Sequence, residues 1–487
     1  MDQAYTETSF ARTLHLLMRS RLINSDVNAN SQDDHASSSS TCHDYQVYKT
    51  DELHKQTERL ENNELYLTTR KESGYTDPEN KTNISVPSMI YRRQVSSTFT
   101  TGEKCRISNA FLPNSMTKVA EYNSKAFCGI YSSDGKMLVT TTQDNNIHLY
   151  STGSGEFQKF KTIFVPNVSW SILDLAFSPD GNYIAYSCWS NAVHLCPIYG
   201  DSSFQVPLQL VPFHSGRFCV FSIAFSNNGN EIVGAANDGC LYVYDLECHK
   251  LTTKIKGHTG DVNAVVIADN SSQILYSAGD DGLCMVWDRR TLKESRPKPV
   301  GVLAGHMGGI TYIDPRGDGR YLLTNSKDQS IKLWDVRKFS SKKAQMNTRV
   351  AVVNQDWDYR WHTHVPKQRF KSTEILEGDT SVMTYRGHVV IQTLIRCHFS
   401  PVASTGQRYI YTGCGDGRIV IYDLLTGKIV KTLEGHDGCV RDVHWHPYDQ
   451  EIISTSWDGI VGCWRYYPEP YSSDARKFTL NYEDDEN

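Results

Sequence analysis

The sequence predicts an all-β fold: a seven-bladed β-propeller behind a partly disordered N-terminal extension that carries a short amphipathic helix. Three observations predict it. A self-similar unit recurs from about Arg106 to Tyr467 with a spacing of about 40–45 residues, the period of a propeller blade. Each copy reads as short apolar strands separated by Asp- or Gly-bearing turns. Seven copies can be counted, and seven four-stranded sheets around an axis close into a ring.

The extension covers residues 1–100. In SFARTLHLLMRSRLI, Phe10, Leu14, Leu17 and Met18 recur at helical spacing among Arg12, Arg19 and Arg21, so a helix is expected over about 10–23. A lone helix of that length is marginal in water, and its apolar stripe needs a partner. Two partners fit: this chain's own folded domain, or another protein. The stretch 24–42 is polar and low in complexity and is read as disordered.

The propeller is expected over 101–468. Cys105–Pro113 alternates weakly and is read as the outer strand of the seventh blade, joining the two chain ends. Three weaker copies follow, at Phe127–Tyr150, Leu173–Cys196 and Phe221–Asp245. The clearest pair is Gly257–Asp288 and Gly305–Asp335, each running from Gly-His to a strand that ends in Trp-Asp. Gly387–Asp423 and Gly435–Trp464 complete the set. A long insertion at about 339–385 separates the fifth copy from the sixth. Loops of that length in a compact domain are functional or disordered. Trp357, Tyr359, Trp361 and Phe370 argue that part of this one packs on the propeller and borders a binding surface. An acidic tail, 469–487, ends the chain.

Three copies carry a polar tetrad: His258, Ser277, Asp281 and Trp287; His306, Thr324, Asp328 and Trp334; His436, Ser454, Asp458 and Trp464. Indole N–H, hydroxyl, imidazole and carboxylate can satisfy one another inside a blade. Their repetition opposes a hydrolytic triad, and no Gly-x-Ser-x-Gly elbow is present. Gly413–Arg418 is Gly-rich but reads as a hairpin turn, not as a phosphate cradle opening onto a helix. The pairs His444/His446 and His362/His364 lack further ligands at zinc-like spacing, so no metal or cofactor is expected. Thirteen cysteines without a C-x-x-C pair fit free thiols in the nucleus or cytoplasm. A net charge of -5 opposes direct nucleic-acid binding, and no apolar segment is long enough to span a membrane. What remains is binding by the propeller's faces. Asp261, Asn263 and Arg441, near the starts of first strands, are the candidates for a substrate face.

One feature is left over. MVWDRRT (Met285–Thr291) and IKLWDVRKF (Ile331–Phe339) both place an Arg two residues after the Trp-Asp. Arg290 and Arg337 are one period apart and are expected side by side on one face. Trp357–Arg360 matches the same pattern but follows no blade strand and is set aside. The doubled Trp-Asp-x-Arg resembles the WD-repeat substrate receptors that dock on the damage-specific DNA-binding protein 1 adaptor of Cullin-4 ubiquitin ligases. AFCGIYSSDG, SSQILYSAGDDG, NSKDQSIKLWDVRKFSS, DWDYRW, MTYRGH, TLIRCHFSP and CVRDVHWHP are similar to the WD repeat-containing protein 23 branch of that family. The resemblance implies a non-catalytic receptor, linked through the adaptor to Cullin-4 and a RING subunit. It implies adaptor contacts from Trp287, Asp288, Arg290, Trp334, Asp335 and Arg337, and from Leu14, Leu17 and Met18 of the N-terminal helix. It also implies a protein substrate, of which a stress-response transcription factor is the class associated with the family. The rival reading is a WD-repeat scaffold outside the ubiquitin system, such as a histone-tail reader.

Overall fold

The computed structural model describes residues 50–74 and 99–468, together with the isolated positions 91 and 94. It leaves short gaps at 154, 167–169, 202–203, 213–216, 293–294, 356, 363–364 and 367–374. The expected helix at about 10–23, the polar stretch 24–42 and the tail 469–487 lie outside the described residues.

Seven four-stranded antiparallel sheets form seven blades. At six of the seven junctions the first strand of a blade contacts the first strand of its neighbour, so first strands line the axis and fourth strands form the rim. The burial patterns follow from this. The inner strand Val262–Ile267 is almost wholly buried, whereas the outer strand Lys250–Lys256 exposes alternate residues. Between neighbouring blades lie apolar clusters such as Val233, Leu241, Val262, Leu275, Met285 and Trp287. Each such aliphatic side chain, fully buried, stabilises by roughly 1.5–3 kcal/mol.

Six blades use four consecutive strands, and the seventh does not. Its outer strand is Ser115–Glu121, paired antiparallel with Ile460–Arg465. The expected strand at Cys105–Pro113 is therefore corrected. Thr101–Ser108 is a helix, because Thr100 and Glu103 form a reciprocal capping box that satisfies its first backbone donors. The closing strand begins two residues past Pro113. Asn114 clasps the junction: its side chain donates to Tyr467 O at 2.7 Å and accepts from Tyr467 N at 2.8 Å.

Helices α1 (Thr50–Glu61) and α2 (Glu64–Ser73) were not anticipated. Leu60 and Leu65 are fully buried against Tyr321, Leu333, Met383 and Leu425 of the fifth and sixth blades. Gln56 accepts from Thr384 N, and Tyr321 donates to Asn63, the N-cap of α2. α2 ends at Gly74, whose φ of 64° only glycine adopts readily. A Cβ there would also lie 2.1 Å from Gly102 O, so Gly74 and Gly102 let α2 and the helix Thr101–Ser108 (α3) cross closely.

The three tetrads share one geometry. Trp287 donates to Ser277 Oγ at 2.9 Å, His258 Nε2 meets that oxygen at 2.7 Å, and His258 Nδ1 meets Asp281 at 2.9 Å. The fifth and seventh blades repeat it within 0.2 Å. In the sixth blade Tyr422 occupies the tryptophan's place, and His388 bridges Tyr422 to Asn325 of the fifth blade.

The axis is closed by charge. Arg396 reaches Asp174 at 2.5 Å and Asp442 at 3.2 Å, which joins the second, sixth and seventh blades. Arg441, 2% exposed, donates to Phe127 O and Leu173 O. His398 lies between Asp314 at 3.6 Å and Asp442 at 3.9 Å, with Tyr312, Tyr411, His444 and Arg396 around it. Burial alone would lower its pKa; the two carboxylates outweigh burial and raise it to about 9.

Two predictions follow from these networks. Ser277→Ala strands the Trp287 N–H and one His258 nitrogen, and each orphaned group costs about 1–3 kcal/mol. The urea midpoint should drop, with a similar drop for Thr324→Ala. Charged His398 stabilises the fold fully below its unfolded value near 6.5, and that stabilisation is lost as pH rises through about 9. The melting temperature of the wild type should therefore fall between pH 7 and 9.5 more steeply than that of His398→Gln. Parallel curves would rule out this histidine as the source.

Candidate functional site

Antiparallel strands reverse at every turn. The turns from first to second and third to fourth strands therefore share one face, and the remaining turns share the other. Arg290 and Arg337 both follow third strands, Cys284–Asp288 and Ser330–Asp335, and so lie on the first face in adjacent blades. Their registers match: Asp288 opposes Ile274 and Asp335 opposes Tyr321, each at the start of a second strand. The tryptophans do not reach this surface. Trp287 and Trp334 are fully buried in their tetrads.

Each Arg is clamped by its own Asp. Asp288 Oδ1 accepts from Arg290 N and Nε at 3.0 and 2.9 Å, and Oδ2 accepts from Nη2 at 2.8 Å. Asp335 does the same for Arg337, at 3.1, 2.9 and 2.7 Å. The carboxyl of Asp288 is held below its usual range chiefly by these bonds. That of Asp335 is pushed up by burial, but the bonds from Arg337 outweigh it and leave it lowered. The Arg side chains remain 66% and 53% exposed, and among the described residues no group engages either Nη1. The clamp orders a long side chain while leaving donors free, so less rotamer entropy remains to be lost on binding.

Sequence reasoning missed the second part of this face. α1 and α2 cover the fifth and sixth blades on the same side, since Tyr321 and Arg316 adjoin a first-to-second turn and Leu425 a third-to-fourth turn. Arg320 pairs with Glu64 at 2.7 Å, and the buried head of Arg316 reaches Glu72 at 3.1 Å. Glu64 is lowered first by the Arg320 bond, with the charge of Arg337 adding to it, which places the start of α2 beside the Arg337 clamp. The available signals were Leu53 and Leu60 at helical spacing, Asn63 as a cap before Leu65 and Gly74 as a stop.

The opposite face holds the third Trp-Asp-x-Arg. Asp358 clamps Arg360 in the same way, with Nε at 3.1 Å and Nη2 at 3.0 Å. The insertion carries it there. Helix α4 (Lys342–Val353) starts five residues after Arg337 and ends against Gly282, in a second-to-third turn of the fourth blade. Trp357 and Tyr359 then pack on Val389, Ile391 and Cys414. Lys327 bonds Asp280 at 2.6 Å and lies over the Tyr359 ring.

The three substrate-face candidates separate. Asp261 is half-buried at this surface; burial and then the neighbouring Asp280 raise its carboxyl to about 6. Asn263 is buried and donates to Asp280 and Ile310 O. Arg441 is not on the face: its guanidinium is turned into the axis, where backbone carbonyls hold it. Leu14, Leu17 and Met18 lie outside the described residues. Among the described residues no group of acidic, His and Cys side chains is arranged to hold a metal, and no helix is long and apolar enough to cross a membrane.

These features meet the comparisons with known proteins. The family model for the WD domain, G-beta repeat, matches residues 159–195, 205–245, 249–288, 297–335 and 427–465. The inner three strands of the first and sixth blades lie outside the match. The ring and its tetrads thus define a WD-repeat propeller protein. The chain is 41% identical over 74% of its length to a DDB1- and CUL4-associated factor 11 homolog of Caenorhabditis elegans, and it spans 64% of that protein, less than two thirds. It is 39% identical over 75% of its length to the Caenorhabditis briggsae homolog, spanning 68% of it. It is 39% identical over 76% of its length to a LEC14B homolog of Prunus armeniaca, spanning 78%. The chain belongs to the family of DDB1- and CUL4-associated factor 11 homologs and LEC14B proteins.

Arg290→Ala should change unfolding free energy by no more than about 0.5 kcal/mol, because Asp288 keeps some access to solvent. Arg337→Ala should cost about 1–3 kcal/mol, because it leaves the buried Asp335 carboxylate without its guanidinium. Denaturant titration checks both; a loss of several kcal/mol from Arg290→Ala would make that arginine structural.

Proposed function

We propose that this chain is the non-catalytic substrate receptor of a Cullin-4 RING ubiquitin ligase, acting in the nucleus or cytoplasm. It docks on the damage-specific DNA-binding protein 1 adaptor and presents a protein substrate for ubiquitination and degradation. The observation that carries the proposal is the pair of clamped, outward arginines at matching registers of adjacent blades. They are the part of the repeat that the blade does not consume. Family membership supports the same reading.

The roles divide by chemistry. Trp287 and Trp334 hold the blades. Asp288 and Asp335 hold the arginines. Arg290 and Arg337 present planar donors to carboxylates or carbonyls of the adaptor. Leu14, Leu17 and Met18 fill an apolar groove on it. The substrate sits on the opposite face, near Asp261, Asn263 and the Arg360 clamp, and a stress-response transcription factor is the substrate class we favour. Ubiquitin transfer is a proximity effect: the receptor holds a substrate lysine near the conjugating enzyme's thioester.

Adaptor pull-down with the full chain tests the proposal. Arg290→Ala with Arg337→Ala should lower capture at least tenfold. Asp288→Ala with Asp335→Ala should weaken it less, because the arginines remain but lose their order. Leu14→Asp with Leu17→Asp should lower capture without moving the melting temperature. Failure of the wild type to bind the adaptor overturns the receptor reading. Equal binding by the double-Arg variant overturns the paired-Arg mechanism.

A further inference from the structure

α4 presents an unusual surface. Ser341 caps it by accepting from Ala344 N, and Asn354 ends it. Its inner side is anchored: Ala344 and Thr348 are buried, and Thr348 and Val352 press on Gly282, where a Cβ would come within 3.1 and 2.7 Å of them. Its outer side carries Met346, Val350 and Val353, which are 61%, 46% and 82% exposed. These are positions i, i+4 and i+7, a single stripe along a helix about 18 Å long. A helix whose inner face is already packed has no folding reason for a second apolar stripe.

The helix's own charges are all of one sign. α4 contains Lys342, Lys343 and Arg349 and no acidic residue. Lys343 pairs with Glu377 at 2.6 Å. Lys342 and Arg349 make no ion pair with any described residue. Two lysines in the first turn also oppose the helix dipole, an arrangement that an external anion relieves.

We infer that the outer face of α4 (Lys342, Met346, Arg349, Val350 and Val353) docks an acidic amphipathic helix of a partner protein. That helix seats its apolar ridge on the three-residue stripe and places carboxylates against Lys342 and Arg349. Charge selects the occupant. This chain's own N-terminal stretch carries Arg12, Arg19 and Arg21 beside its apolar residues and would repel the face, and its acidic tail spaces Phe478, Leu480 and Tyr482 at i, i+2 and i+4, which makes no helical ridge. A second α4 would bring three further cations and no anion. The surface is separate from the paired-Arg clamps, so it stands whether or not they bind an adaptor.

Fluorescence anisotropy with the full chain tests the inference, using a set of labelled 15-residue peptides. These have Leu at i, i+4 and i+7 and Glu on the flanks; a matched set carries Lys in place of Glu. The Glu set should bind, more weakly as salt rises. Val350→Glu with Val353→Glu should reduce affinity at least tenfold, and so should Arg349→Glu, with no change in melting temperature because these side chains face solvent. Equal binding of the Lys set, no binding of the Glu set, or binding unmoved by the variants overturns it. Sedimentation with anionic phosphatidylserine vesicles supplies the other arm. Vesicle binding lost in the same variants, without peptide binding, would assign the face to membranes and also overturn it.

Discussion

Everything in this molecule depends on one pairing, that of Ser115–Glu121 with Ile460–Arg465. A blade cannot bury both of its faces alone, and a row of blades has two open ends. Joining the ends removes both, and it requires hydrogen bonds between segments almost the whole domain apart in sequence. Asn114 and Tyr467 lock the joint from both directions. The closure also decides where the N-terminal segment runs. α3, which leads into the closing strand, packs on the first-to-second connection of the sixth blade, where Asn109 donates to Thr405 O, and α2, crossing it through Gly74 and Gly102, is thereby brought onto the fifth and sixth blades.

Charge is distributed in two ways. On the axis Arg396, Asp174, Asp442 and His398 are buried and mutually compensating. Such a network ties distant blades together, and it is stabilising only because each charge meets another. At the surface the Asp–Arg clamps are open. Each satisfies part of a guanidinium and leaves the rest available. The first arrangement holds the disc, and the second equips it to bind.

The three clamps show how little a local motif says about its address. Arg290, Arg337 and Arg360 are gripped by an Asp two residues earlier with nearly the same distances. The first two follow third strands and share a face. The third is delivered to the opposite face by α4 and its following strap. The motif's chemistry is local, whereas its partner is decided by the turn on which it sits.

Several features were legible in the chain itself. The repeat spacing, the tetrads and the doubled Trp-Asp-x-Arg depend on residues close in sequence, and their period survives in the string of letters. The misreading of Cys105–Pro113 had a local cause too: weak alternation outweighed the capping box of Thr100 and Glu103. α1 and α2 left only scattered leucines, because their partners Tyr321, Met383 and Leu425 are hundreds of residues away. Arg441 near a strand start looked accessible, but the axis on which seven such strands converge exists only once the ring has closed. The sequence by itself determined the blade, its internal hydrogen bonds and its surplus arginines, since short-range geometry dictates all three. Tertiary structure alone decided which face each arginine occupies, what the N-terminal helices cover and which side of α4 meets solvent, since these depend on contacts that no local pattern encodes.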